Sequence, residues 1–162
     1  MQHRIVPNLW FDTEAEEAAA FYVSVFGGDS KVTKTTHYTE AGPREAGTVM
    51  TVEFALDGQR FIAINGGPQF TFDEAVSFQI DCETQAEVDR FWEALTHGGE
   101  ESRCGWLKDR YGLSWQVVPT GWEEILGDPD PERGRRAMEA MFAMRKLDIA
   151  ALRAAADGDV TP

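Results

Sequence analysis

Little in this chain is suited to holding a metal ion or a nucleic acid. It has 3 histidines and 2 cysteines in 162 residues, so a site built on imidazole or thiolate has few donors to draw on. Only 15 Lys and Arg stand against 28 Asp and Glu, a formal net charge of -13. Nucleic-acid binders need clustered cations that release condensed counterions, so this balance argues against a nucleic-acid partner, and the acidic surface reads as solvation. No run approaches the ~18 apolar residues of a membrane span, and MQHRIVPNLW has neither a long apolar stretch nor a small-residue cleavage site. A soluble, cytoplasmic protein with no membrane partner is the expectation. In that compartment Cys82 and Cys104 are expected to be free thiols.

A hydrophobic fraction of 43% with 11% aromatics is that of a folded chain, enough for one substantial core or two small fused halves. Apolar residues predict a strand over Ile5 to Phe11. DTEAEEAAAFYVSVFGG then reads as a helix capped by Asp12 or Thr13, with Glu14, Glu16 and Glu17 where the helix dipole favours anions. Phe21, Tyr22, Val25 and Phe26 recur at helical spacing, and Gly27-Gly28 stops the helix. KVTKTTHY, TVMTVEFAL and QRFIAIN follow as three antiparallel strands, the last two joined by Asp57-Gly58 in a hairpin turn. This is a β-α-β-β-β module.

About 70 residues later the pattern returns. VSFQIDCETQAEVDRFWEALTHGG again gives strand, polar cap, amphipathic helix, aromatic pair and double glycine, with Phe91-Trp92 matching Phe21-Tyr22 and Glu87 matching Glu17. GEESRCGWLKD, the turn Arg110-Tyr111-Gly112 and LSWQVVP complete a shorter second module, with Gly112 in the place of Gly58. The divisions expected are residues 1–70, 71–122 and a helical extension over 123–162, in a single structural domain. The fold class is α+β, two tandem βαβββ modules forming a cupped mixed sheet, plus C-terminal helices. In the extension, Asp128-Pro129-Asp130-Pro131 breaks the chain. PERGRRAMEAMFAMRK then predicts a helix with Met138, Met141, Phe142 and Arg145 on one face, and Asp148 caps a last helix presenting Ile149 and Leu152. The methionine-rich face suits packing on its own chain and contact with a second copy, so a homodimer is expected.

PNLWFDTEAEEAAAFY, FIAINGGPQFTF and CGWLKDRYGLSWQVVP, followed by DPDPERGRRAMEAMFAMRKLDIAAL, resemble the PhnB-like family. That family is described as 3-demethylubiquinone methyltransferase and sits in the vicinal oxygen chelate superfamily of glyoxalases, bleomycin-resistance proteins and extradiol dioxygenases. The resemblance covers essentially the whole chain. It implies paired half-barrels enclosing a cup for ligand or metal, and function still has to be argued from the site.

Metal-dependent members of the superfamily carry His, Gln or Glu ligands on the first and last strands of each module. The matching positions here fall near Ile5 and Ala75 to Ser77, and near Ala63 to Asn65 and Gln116, which are poor ligands. His3, His37 and His97 lie before a strand, at a strand end and at a helix end. A catalytic metal and any other cofactor are therefore not expected, although Glu53 is one carboxylate placed to rescue such a site. A methyl donor needs a glycine-rich turn between a strand and a helix. Gly27-Gly28 and Gly98-Gly99 follow helices, and Gly66-Gly67 leads into PQFTF with no helix behind it. Literal methyltransferase activity is not expected.

The candidate ligand-binding residues are Trp10, Glu53, Asn65, Gln79, Cys104, Trp106 and Gln116. Cys104 lies among Arg103, Lys108 and Arg110, which would favour a thiolate, and is otherwise a small buried residue at a strand start. Trp106 and Trp115 sit on facing strands where aromatics can pack, while Gln116 and Trp115 point to opposite faces, with Gln116 assigned to the cup by the resemblance. Trp10 is left between the cup and the underside of the first helix. Lys108-Asp109-Arg110 reads as a solvated hairpin tip that can also gate a ligand. The preferred function is binding of a small, partly aromatic molecule without a catalytic metal. The alternative is a divalent-metal lyase, isomerase or dioxygenase using Glu53, Gln79 or Gln116.

Overall fold

Alternation in VMTVEFAL and QRFIAIN builds a sheet with one dry and one open side. A computed structural model describes residues 4–159, and the chain divides into two compact units, residues 1–72 and 73–162. The first contains β1 (Asn8–Phe11), α1 (Ala15–Phe26), β2 (Lys31–His37), β3 (Val49–Leu56) and β4 (Gln59–Asn65). Its strand order is β1-β4-β3-β2, with β1 parallel to β4 and the other pairs antiparallel. Leu9, Phe11, Val52, Phe54, Phe61 and Ala63 are buried on the side that α1 covers. There Tyr22 of α1 stacks on Phe54 at 6.1 Å, and Phe54 on Phe61 at 5.4 Å.

The second unit repeats the plan with β5 (Ser77–Cys82), α2 (Gln85–Thr96), β6 (Glu100–Glu101), β7 (Trp106–Lys108) and β8 (Ser114–Pro119), in the order β5-β8-β7-β6. Here β5 is parallel to β8. Helix α2 starts in a capping box: the Glu87 N–H donates to Thr84 Oγ1 at 3.2 Å, and the Glu83 N–H to Glu87 Oε2 at 2.7 Å. Its apolar stripe of Val88, Phe91, Trp92 and Leu95 is buried, as are Ile80, Cys82, Leu107, Trp115 and Val117 of the sheet. Both modules are therefore βαβββ and the fold is α+β, as the sequence indicates.

Local details depart from expectation for identifiable reasons. Strand β1 begins at Asn8 rather than Ile5, which is 84% exposed, because Pro7 has no N–H to give a ladder. Neither Asp12 nor Thr13 caps α1. Glu14 holds the N-cap position without a side-chain bond to the helix, and the Ala15 N–H instead donates to Asn65 Oδ1 at 2.8 Å, supplied by the end of β4.

The extension folds as α3 (Trp122–Leu126), α4 (Pro131–Ala143) and α5 (Ile149–Asp157) within the second unit. The short α3 was not foreseen. Asp130 and Asp148 cap α4 and α5 through their carboxylates. A core of Trp122, Ala137, Leu147, Leu152 and Ala156 is flanked by Met141 and Met144. The inward face of α4 therefore runs through Gly134, Ala137 and Met141, while Met138 and Phe142 are 42% and 58% exposed, which corrects the face predicted from spacing. Small residues face inward because Gly134 passes α3 closely: a Cβ there would lie 2.9 Å from the Leu126 carbonyl oxygen. The segment before α5 is tied to the second module, with the Cys104 N–H donating to the Met144 carbonyl at 2.9 Å and the Gly105 N–H to that of Arg145 at 2.8 Å. The Gln85 amide adds bonds to Leu147 O at 3.1 Å and from the Ile149 N–H at 2.9 Å.

Candidate functional site

Strand parity assigns each candidate to a side. Trp10 pairs in register with Ile64, whose neighbours Ala63 and Asn65 are buried, so Trp10 shares the open side of the first sheet with Ile62, Ile64, Thr51 and Glu53. It is half-buried there, and not under α1. Its indole N–H donates to the Gly67 carbonyl at 2.8 Å, and its rings meet Phe70 edge-on at 5.1 Å.

Asn65 lies on the other side, 5% exposed. Its Oδ1 receives the Ala15 N–H, its Nδ2 donates to the Val49 carbonyl at 3.1 Å, and its own carbonyl accepts the Tyr38 hydroxyl at 2.7 Å. Asn65 thus joins β4 to the start of α1 and to β3. In NGGP, then, Asn65 anchors the helix, Gly66 lies flat against the Trp10 rings, and the Gly67 carbonyl holds the indole N–H.

In the second unit Trp106 stands opposite Gln116, and Leu107 opposite Trp115. The two tryptophans therefore occupy opposite faces and do not pack on each other, a correction set by a one-residue offset in register. Trp115 is 2% exposed on the α2-covered side. Trp106, Gln116, Ser77 and Gln79 share the open side, where Gln116 Nε2 donates to Ser77 Oγ at 2.9 Å and Gln79 Nε2 to Asp81 Oδ1 at 2.7 Å. The Trp106 side chain is half-buried and has no hydrogen bond or ring contact among the described residues. Lys108, on the same side, pairs with Glu74 at 2.6 Å, and this bond holds the Glu74 carboxyl below its ordinary range. Next to it, Ser114 is the one buried side chain among the described residues whose oxygen lacks a hydrogen-bond partner. Ser77, Ser114 and the Lys108–Glu74 pair are not among the ligand-binding residues expected from sequence; two-residue spacing from Gln116 and Trp106 puts Ser114 and Lys108 on that face, and the β5–β8 register puts Ser77 there.

Asp109 overturns the solvated-tip reading. It is 2% exposed. Its Oδ1 accepts the Tyr111 and Leu113 N–H groups at 2.8 and 3.1 Å, and its Oδ2 accepts the Trp115 indole N–H at 2.8 Å. An aspartate bonding backbone two residues on makes an Asx turn, and this one also fastens the tryptophan beneath it.

Both cysteines are free. Cys104 is half-buried in a left-handed conformation, φ 57°, where β7 approaches the C-terminal segment. Cys82 is 1% exposed, and burial pushes its thiol up from 9.0 to about 11. A raised folded-state pKa means that the protonated thiol favours the fold, so this contribution is complete below about pH 9 and is lost as pH rises to about 11. Wild-type stability is expected to fall more than that of Cys82→Ala over that interval, as urea unfolding at successive pH values will measure.

Metal-ligating groups are scattered. No three His, Cys, Asp or Glu side chains gather among the described residues. His37 and His97 are exposed, and His3 lies outside the described residues. The Glu53 carboxylate accepts from Arg60 Nη2 at 2.7 Å and Nε at 3.2 Å. A cation there would have to displace a guanidinium.

The family model described as 3-demethylubiquinone-9 3-methyltransferase matches residues 3–118. No curated protein matches the chain. Among solved structures, a PhnB protein from Bacillus cereus, itself described as a 3-demethylubiquinone-9 3-methyltransferase, is 35% identical with a TM-score of 0.66 over 73% of this chain and 100% of its own. Protein PA1353 from Pseudomonas aeruginosa is 22% identical, with a TM-score of 0.59 over 72% of this chain and 97% of that one. The fosfomycin resistance protein FosX from Listeria monocytogenes, complexed with Mn(II) and sulfate ion, is 17% identical, with a TM-score of 0.52 over 76% and 97%. The last two show a shared fold alone.

Proposed function

The chain belongs to the 3-demethylubiquinone-9 3-methyltransferase family, the PhnB-like branch of the vicinal oxygen chelate superfamily, and on that premise we propose that it binds a small, partly aromatic molecule without a catalytic metal. One observation carries this reading. The half-buried indole of Trp106 stands on an open sheet face, its N–H bound to no acceptor among the described residues, directly across from the Gln116 amide. A flat ring with one oxygen would stack on the indole and take a hydrogen bond from either group.

Donor chemistry supports the metal-free half of the proposal. FosX from Listeria monocytogenes has a structure with Mn(II), but here Glu53 is held by Arg60, Gln79 by Asp81 and Gln116 by Ser77. Amide oxygens alone suit a divalent ion poorly. Topology speaks against methyl transfer by a bound nucleotide cofactor: Gly66-Gly67 follows β4 with no helix before β5, and the turns from β1 to α1 and from β5 to α2 hold no glycine, so no glycine-rich strand–turn–helix is present among the described residues. A homodimer belongs to the same proposal, with the exposed Met138 and Phe142 of α4 as its contact. Sedimentation at rising concentration checks it, and a monomer throughout would remove it.

The ligand test is an aromatic fragment panel observed through the indole N–H resonances, with elemental analysis of the purified protein alongside. Fragments are expected to move the Trp106 resonance saturably, and Trp106→Ala to weaken them about three- to tenfold, the worth of one aromatic contact. No fragment moving Trp106, or stoichiometric Zn, Mn, Ni or Fe whose removal abolishes binding, would defeat the reading. No helix among the described residues is long and apolar enough to cross a membrane.

A further inference from the structure

We infer that the C-terminal extension holds a second small-molecule site, a cavity for an α-amino acid with an apolar side chain. Every residue lining this cavity lies between Pro119 and Asp157, beyond residues 3–118 that the family model matches. Its volume of about 320 Å³ is at the small end of ligand pockets, which begin near ~300 Å³, and suits an amino acid rather than a nucleotide.

Four features of the lining set the ligand's chemistry. The walls are apolar, from Ile125, Ile149, Leu152 and Ala156. Trp122 lines the cavity, and its indole N–H, which is not sealed from solvent, meets no acceptor among the described residues. That donor is open to an acceptor that a ligand supplies. Arg133 is already neutralised, by Asp128 at 3.0 Å and by Asp157. Arg153 and Glu124, by contrast, line the same cavity with no ion pair or side-chain hydrogen bond among the described residues. One cation and one anion without protein partners among the described residues, beside an open N–H donor, are answered together by a zwitterion. Its carboxylate meets Arg153 and the Trp122 N–H, its ammonium meets Glu124, and its side chain lies on the apolar wall.

The test titrates the full chain with L-phenylalanine and L-leucine, following the Trp122 indole N–H resonance, which Trp122→Phe identifies by its loss. Phenylacetate and phenethylamine, each with one of the two charges, serve as controls. At least one amino acid is expected to move the Trp122 resonance saturably, and the single-charge compounds to bind at least about tenfold more weakly, as the loss of one charge-assisted hydrogen bond requires. Arg153→Gln and Glu124→Gln, both exposed residues, are each expected to weaken the amino acid to the same extent. Calorimetry with these two variants carries the test if Trp122→Phe does not fold. Neither amino acid binding, or either single-charge compound binding as tightly, would overturn the inference. Fragment binding at Trp106 is read on a separate resonance, so failure here leaves the proposed function standing.

Discussion

Asp109→Ala is expected to destabilise the second unit by about 3–5 kcal/mol, the range for removing a buried group that satisfies several hydrogen-bond donors. The side chain is 2% exposed and accepts from two backbone N–H groups and from the Trp115 indole. Truncation leaves all three donors without their acceptor in a dry site. It also frees the turn that sets the register between β7 and β8, and with it the placement of Trp106 opposite Gln116. Asp109→Asn separates the effects. Its amide oxygen can still receive the two backbone N–H groups, but its NH2 meets the Trp115 N–H donor to donor, so an intermediate loss is expected. Urea denaturation of both variants checks the order. An alanine variant within about 1 kcal/mol of wild type would show that the turn does not depend on this carboxylate.

Gly66→Ala is expected to cost about 3 kcal/mol, at the upper end of what overpacking usually costs. A Cβ at residue 66 would lie 2.1 Å from the Trp10 indole, so the ring system must move. The ring is held, because its N–H bonds the Gly67 carbonyl and it meets Phe70 in a T-shaped contact. Backbone bonds from the Gly66 and Gly67 N–H groups to the Phe11 carbonyl, at 2.9 and 3.3 Å, resist the alternative of shifting the main chain. Trp10→Phe in the Gly66→Ala background should recover part of the loss by making room. Thermal melts of the single and double variants provide the check, and the absence of any coupling would mean that residue 66 and Trp10 do not touch.

These residues show how far the sequence could be read. Asp57-Gly58 and Gly112 were legible as turns because left-handed backbone favours few residue types, and φ values of 45°, 80° and 84° bear this out. Gln116 and Trp115 were assigned to opposite faces by parity alone. The partnership of Trp106 with Trp115 failed because parity fixes faces within a strand, whereas pairing across strands depends on register, and register here is set by the Asp109 turn. Asp109 itself looked like surface charge, since nothing local announces that an indole six residues further along the chain will return to it as a donor.

The amino-acid pattern by itself determined the tandem βαβββ plan, the two helix–glycine stops, the free cysteines and the scarcity of metal donors. All of these follow from properties confined to a few neighbouring residues: hydrophobic period, turn chemistry and composition. Only the tertiary structure decided that Asn65 caps a helix 50 residues before it, that Gly66 and Trp10 interlock, that Met138 and Phe142 face outward, and that Trp122, Arg153 and Glu124 line one cavity. Each of these joins groups distant in the chain, and such contacts are chosen by the geometry of packing rather than by any preference the separate segments carry.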